Sequence, residues 1–129
     1  LILFNFITLN DDAHLKNFSL IERNGEYRLS PAYDLINTSL QLRNPRIFAL
    51  DKGLFKEGMK LSDTRTISRS DFVEFGKRIG LQERVIQQEL KNFSTVQPMV
   101  KELLERSFLS AELKEHYYLS YKYRCLMLR

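Results

Sequence analysis

The dipeptide Asn24-Gly25 restricts the fold of this chain more than any other feature of its sequence. A two-residue type I′ turn needs positive φ at both central positions, and Asn-Gly is the pair best suited to it. The turn geometry sets the strand register, which places Leu20 opposite Leu29 and both on one face with Phe18. We therefore expect a β-hairpin. Its two strands are expected at residues 18–23 and residues 26–30.

The same register, continued beyond the hairpin, folds the chain back onto the residues that precede it. Asn17 falls beside Ala32, so Asp34 approaches Asn17 and Asp12. Mg²⁺ prefers oxygen ligands and usually takes only one or two carboxylates, with water and phosphate completing the octahedron. Asn17 and Asp34 would supply such ligands, and Asp12 would accept the proton of an attacking hydroxyl. This order of residues matches the catalytic Asp, the Asn five positions later and the metal-binding Asp of protein kinases.

Two stretches of the chain carry a resemblance to a known family. Residues 12–19 read Asp-Ala-His-Leu-Lys-Asn-Phe-Ser, and residues 29–35 read Leu-Ser-Pro-Ala-Tyr-Asp-Leu. Together they resemble the signature of the HipA family of bacterial serine/threonine kinases, the toxins of HipBA-type toxin–antitoxin modules. Residues 67–72 and the helical tail are also similar to that family, so the likeness covers nearly the whole chain.

The resemblance implies a role for each residue that matches the motif. Asp12 would be the catalytic Asp, Asn17 a Mg²⁺ ligand, and Asp34 the counterpart of the metal-binding Asp in the kinase Asp-Phe-Gly motif. His14 would orient the catalytic loop, and Lys16 would face the transferred phosphate. The implied cofactors are ATP and Mg²⁺, both held near Asn17 and Asp34.

The resemblance also implies a fold and an incomplete kinase. We expect an α+β, mainly α, kinase-like C-lobe, a helical bundle with a small hairpin layer that carries the catalytic loop. A kinase also needs a Gly-rich loop over the phosphates and a strand Lys, and no Gly cluster precedes Asp12. Residues 1–129 would therefore form a single domain, the C-terminal lobe, with the N-terminal lobe absent from this chain. We expect no kinase activity from this lobe alone.

The partners implied by the resemblance are proteins. They are the kinase's own N-terminal lobe, a HipB-like DNA-binding antitoxin, and a protein substrate such as an aminoacyl-tRNA synthetase or another translation factor. The basic residues, with a net charge of +4, are interspersed with acidic ones, so direct nucleic-acid binding is not expected.

Other interpretations of the same residues remain open at the level of sequence. Asp-x-His-x-x-Asn also occurs in phosphatidylinositol kinases, so the chain would also fit a lipid or small-molecule kinase. A separate alternative is a helical interaction module whose acidic loop does not catalyse a reaction. Asp11, Asp12 and His14 would suit a mononuclear metal site. Loop Asp residues also often serve only as caps or turn residues, so Asp12 would be a cap and Asp34 a turn residue, while Asn17 would simply end a strand. His14 would then be a hydrogen-bonded structural histidine.

Composition limits the cellular setting. With 129 residues, of which 43% are hydrophobic, the chain can bury the core of one domain. Cys125 is the only cysteine, which excludes an intrachain disulfide and makes the reducing cytoplasm the simplest location. Residues 1–9 are apolar but shorter than the roughly 20 residues that a membrane helix needs, so no membrane association is expected.

Four helices are predicted in the second half of the chain from apolar side chains at helical spacing. Ser68 or Ser70 is the expected N-cap of the first, and Gly80 is placed to end it. The other three are expected at residues 85–93, from Pro98 through an apolar stripe that includes Phe108, and from 111 to about 126.

Shorter features are predicted elsewhere. The family likeness favours a helix over a strand for residues 1–9. Residues 35–44 should be irregular, residues 47–50 should add a short strand, and Gly53 and Gly58 should lie in loop. The tyrosines of the last helix spread over more than one face and are expected to be part core and part rim, with a partner surface as the alternative.

Overall fold

The computed structural model describes residues 1–42 and 67–129. This part of the chain is mainly helical with one antiparallel hairpin, which confirms the predicted fold class. Its helices are α1 (Ile2–Ile7), α2 (Arg69–Arg78), α3 (Glu83–Ser94), α4 (Pro98–Glu105) and α5 (Ala111–Met127). Its strands are β1 (Leu20–Arg23) and β2 (Glu26–Leu29). The strand expected at residues 47–50 and the loop at Gly53 and Gly58 lie outside the described residues.

The hairpin has the turn and the register that the sequence predicts. Asn24 and Gly25 have φ of 55° and 79°, as a type I′ turn requires. Leu20 pairs with Leu29. The strands are exposed along their whole length, although Phe18 and Leu29 both line an apolar groove that α2 and α3 complete.

The first nine residues form a short helix and a tight turn into the loop that follows. Leu9 has φ of 57°, and the Asn10 backbone N–H donates to the Asn5 carbonyl at 2.9 Å. This is the 6→1 hydrogen bond of a Schellman ending, in which the left-handed position is usually glycine. A leucine there costs about 1–2 kcal/mol, so contacts around the turn must offset that strain.

Helix α2 begins and ends at predicted residues and packs closely on α3. The Ser68 N–H donates to the Asp71 carboxylate at 2.8 Å, half of a capping box, and Gly80 follows the helix with φ of 79°. A Cβ placed on Gly76 would lie 2.7 Å from Cγ1 of Ile86. Glycine at position 76 therefore allows the two helices to approach each other.

The core is centred on Phe6, which is 1% exposed. The Phe72 ring meets it edge-on with ring centroids 5.0 Å apart, and the Arg124 guanidinium lies 4.6 Å from its centroid. Arg124 is itself buried, so α5 covers the side of α1 that leads into the loop. The other buried side chains of this cluster are Ile7, Ile67, Ile86, Leu90, Tyr121, Cys125 and Leu128.

The apolar stripe predicted for the third helix is wrong at its end. Helix α4 ends at Glu105, and Phe108 lies beyond it with its side chain fully exposed. Leu104 is buried, whereas Leu103 is exposed, because the short helix turns only one side towards α5. In α5 the tyrosines divide as expected, since Tyr121 is buried and Tyr123 is exposed.

We expect stability to fall at alkaline pH because of Tyr121. Burial raises the pKa of Tyr121 to about 12 from its ordinary 10, so its contribution is complete below pH 10 and is lost as pH rises to about 12. Burial also raises the pKa of Tyr117 and of Cys125, which adds to the loss. Burial lowers the pKa of Arg124 to about 10, and this shift opposes the loss of stability at alkaline pH. Thermal unfolding at pH 8 to 12 should therefore show a smaller decline for Tyr121→Phe, and equal slopes would contradict this.

Candidate active site

The hairpin brings Asn17 and Asp34 into direct contact. Asn17 Nδ2 donates to Asp34 Oδ2 at 2.5 Å, across 17 positions of sequence. Asn17 closes a 3-10 turn, Leu15–Asn17, whose last backbone N–H bonds to the His14 carbonyl at 2.9 Å. Ser30 N–H donates to the Ser19 carbonyl at 2.8 Å, which continues the ladder towards this pair. The contact is the one that the predicted register requires.

Asp34 has a backbone conformation that few residues adopt. Its φ is 55°, in the left-handed region where Asn and Asp are the most tolerated side chains after glycine. Such strain costs about 1–3 kcal/mol and is concentrated at functional sites. The conformation here turns the carboxylate towards Asn17 while the carbonyl meets Asn10.

Asn10 lies beneath the loop with its side chain 2% exposed. Its Nδ2 donates to the Asp34 carbonyl at 3.0 Å and to Asn5 Oδ1 at 3.3 Å. Its Oδ1 accepts from the Asp12 backbone N–H at 3.2 Å. One amide group therefore contacts both the Asp12 and the Asp34 main chain.

Thr38 makes a second connection between the returning chain and the loop. Its Oγ1 donates to the Leu9 carbonyl at 3.1 Å and accepts from the Asp11 N–H at 3.0 Å. Its own N–H also donates to the Leu9 carbonyl, at 3.2 Å. Thr38 is buried, so these bonds are shielded from water and hold both segments together.

The remaining candidate residues are open to solvent. The Asp12 side chain is 58% exposed, and its Oδ1 lies 4.0 Å from Nε2 of His14, which is also exposed. An exposed pair at that distance contributes little to stability, but it places an imidazole beside the carboxylate. The Lys16 side chain is exposed, and its carbonyl accepts from the Tyr33 hydroxyl at 2.9 Å. The structure shows Asp12, His14 and Lys16 on one loop with Asn17.

The donor set suits Mg²⁺ better than a transition metal. No group of three or more His, Cys, Asp or Glu side chains converges anywhere in residues 1–42 and 67–129. The alternative site of Asp11, Asp12 and His14 is therefore not formed. Mg²⁺ needs only one or two carboxylates, and the Asn17–Asp34 contact sets one carboxylate beside one amide. These two side chains fit a magnesium site completed by water and phosphate.

Three residues that have structural roles at the site were assigned no role from the sequence. Asn10 and Thr38 are buried polar side chains that join the two segments, and the Tyr33 hydroxyl contacts Ser19 Oγ at 2.7 Å. Tyr33 belongs to the stretch that resembles HipA, so the motif itself marked its position. Asn10 and Thr38 have no such signal, because Asp34 reaches Asn10, and Leu9 and Asp11 reach Thr38, only in the folded chain.

The family can be assigned at this point. A family model, the HipA-like C-terminal domain, matches residues 1–100. The chain belongs to the family of HipA-like C-terminal domains. Residues 12–19 and residues 29–35 of this HipA-like domain both lie inside the matched residues.

Two relatives agree with the assignment. A Haemophilus influenzae protein named "Putative kinase" is 33% identical over an alignment of 103 residues, and the match covers 69% of this chain. A chain in the structure of the Shewanella oneidensis MR-1 toxin–antitoxin system HipA, HipB and its operator DNA complex has a TM-score of 0.63 over 95% of the domain. At 20% identity the second match shows a shared fold. The domain spans 29% of the length of each relative.

Within the described ranges of this HipA-like domain, every helix is too short or too polar to span a bilayer.

Proposed function

We propose that this domain is the C-terminal catalytic lobe of an ATP- and Mg²⁺-dependent protein serine/threonine kinase of the HipA type. The observation that carries the proposal is the contact of Asn17 with Asp34, next to a loop that presents Asp12 to solvent. These are the side chains that a kinase uses to hold metal and to receive a proton. The parts that cover the nucleotide would come from an N-terminal lobe, so the lobe described here would be inactive alone.

The reaction would transfer the γ-phosphoryl group of ATP to a serine or threonine hydroxyl. The hydroxyl oxygen forms a bond to the γ-phosphorus, the bond from that phosphorus to the bridging oxygen breaks, and ADP leaves. Asp12 takes the hydroxyl proton, a task for which its carboxylate is sufficiently exposed. Bound Mg²⁺ would neutralise charge on the phosphate oxygens, and Asn17 and Asp34 would hold it. Lys16 would face the transferred phosphate, and His14 would orient Asp12.

The proposed partners follow from the family and from the relatives. The Shewanella structure contains HipA, HipB and operator DNA, which supports a HipB-like DNA-binding antitoxin as a partner. A protein substrate, such as an aminoacyl-tRNA synthetase or another translation factor, is the further partner that the likeness to HipA implies. Such partners would be met in the cytoplasm, which is the location that we propose.

Labelling with radioactive ATP would test the proposed substrate class. The full-length kinase, with its N-terminal lobe, would be incubated with Mg²⁺ and with separate pools of bacterial protein, lipid and aminoglycoside. We expect label on serine or threonine of protein. Label only on lipid or on aminoglycoside would overturn the protein-kinase proposal, and no label with any pool would overturn phosphoryl transfer.

We expect Asp34→Asn to weaken divalent-metal binding by about 10-fold or more, because it removes the carboxylate from the pair. Asn tolerates the left-handed conformation at position 34, so the variant should keep its fold. Mn²⁺ would replace Mg²⁺ as a paramagnetic probe, and free Mn²⁺ would be measured by electron paramagnetic resonance. Glu115→Gln, an exposed acid-to-amide change on α5, is the matched control. Equal Mn²⁺ affinity in both variants would contradict the metal role.

A further inference from the structure

We propose that Asn10 is a positioning residue that fixes the distance between the proton acceptor Asp12 and the metal ligand Asp34. The inference rests on the proposed kinase function and assigns a new role within it. Asn10 does not touch substrate or metal; it acts through the backbone of the two residues that do.

The hydrogen bonds of the Asn10 amide carry the inference. Its oxygen accepts from the Asp12 N–H at 3.2 Å, while its nitrogen donates to the Asp34 carbonyl at 3.0 Å and to Asn5 Oδ1 at 3.3 Å. An amide nitrogen has two protons to donate, so both are used. Asp12 and Asp34 are 22 positions apart in the sequence. The planar side-chain amide of Asn10 therefore bridges the backbones of Asp12 and Asp34.

Asn10 is itself held on two sides, so it can transmit a fixed position. Its backbone N–H donates to the Asn5 carbonyl at 2.9 Å, which anchors it to the end of α1. Thr38 bonds to Leu9 and Asp11, the residues on either side of Asn10. With its side chain 2% exposed, the amide has no access to bulk water as an alternative partner.

The chemistry of the position explains why asparagine is needed there. Aspartate would keep an acceptor for the Asp12 N–H, but an ionised carboxylate has no proton for the Asp34 carbonyl. Alanine would lose every side-chain contact and leave buried polar groups without partners. Asn10→Asp therefore removes the hydrogen bond to the Asp34 carbonyl but keeps the one from the Asp12 N–H, whereas Asn10→Ala removes the hydrogen bonds to both Asp12 and Asp34.

The experiment compares Asn10→Asp and Asn10→Ala at pH 8 with three measurements. Amide hydrogen exchange should show the Asp12 N–H still protected in Asn10→Asp and exchanging faster in Asn10→Ala. Mn²⁺ binding should be about 10-fold weaker in both, because both release Asp34. In the full-length kinase, kcat should fall about 100-fold in Asn10→Ala while KM for the protein substrate stays unchanged, since misplacement by about 1 Å has that effect.

Tyr121→Phe is the control for a loss of stability without a change at the site. It removes a buried hydroxyl that accepts from the Gln97 N–H at 3.0 Å, in a part of the core that α5 forms. If Asn10→Asp and Asn10→Ala bind Mn²⁺ as tightly as Tyr121→Phe, the positioning role is overturned. Equal protection of the Asp12 amide in both Asn10 variants would overturn it as well. Failure of the proposed function has a different signature, namely no Mn²⁺ binding by the unsubstituted protein.

Discussion

Replacing Asp12 by asparagine should lower kcat of the full-length kinase by about 10²- to 10⁴-fold, the usual contribution of a positioned base. Asparagine keeps the size of the side chain and the backbone N–H that bonds to Asn10, but it cannot accept the hydroxyl proton. Because Asn17 and Asp34 remain in contact, affinity for ATP with Mg²⁺ should change little. Initial rates of substrate labelling and a separate nucleotide-binding titration would measure the two effects.

Asp11→Asn is the neighbouring control for that experiment. It removes the same charge one residue earlier, where the backbone bonds to Thr38 and the side chain has no role in the proposed chemistry. Its kcat should stay within a few fold of the unsubstituted enzyme. Equal loss of activity in the Asp11 and Asp12 variants would refute the assignment of Asp12 as the proton acceptor and indicate a general effect of charge.

Replacing Phe6 by alanine should reduce the free energy of unfolding by about 3–5 kcal/mol, the range for a large side chain removed from a packed core. Phe6 is 1% exposed and contacts the Phe72 ring, and the Arg124 guanidinium lies over its face. The substitution would also take away the surface that stabilises a buried cation. Since a domain of this size is stable by about 5–15 kcal/mol, this loss would be a large fraction of its total stability.

Urea unfolding followed by circular dichroism would measure that loss, with Phe108→Ala as the matched control. Phe108 is fully exposed beyond α4, so the same truncation there should change stability by less than about 0.5 kcal/mol. A loss below about 1 kcal/mol for Phe6→Ala would show that this ring is not the centre of the core.

The sequence predicts the site geometry well where the interactions are local. Asn24-Gly25 determines its own turn, the turn determines the register, and the register brings Asp34 to Asn17. Each of these steps follows from backbone geometry over a few residues. The N-cap at Ser68 is predicted for the same reason, since its partner lies three residues away.

Contacts that depend on the assembled fold could not be read from the sequence. The hydrogen bonds from Asn10 to Asp34 and from Thr38 to Leu9 form only when the chain after the hairpin packs against the loop before it. The types and spacing of these residues therefore do not predict the bonds. The position of Arg124, buried over an aromatic ring from the other end of the chain, also depends on the assembled fold. Phe108 shows the opposite error, because helical spacing alone does not reveal where α4 stops.

The last helix has a consequence for how the boundaries of this domain are drawn. The family model reaches residue 100, but Tyr121, Arg124 and Cys125 of α5 lie in the same buried cluster as Phe6 or against its ring. Expression of residues 1–100 alone would expose that ring and leave α1, which leads into the loop that carries Asp12, without the helix that covers it. A protein trimmed to residues 1–100 should therefore be insoluble, whereas one that keeps residues 101–129 retains the closing helix.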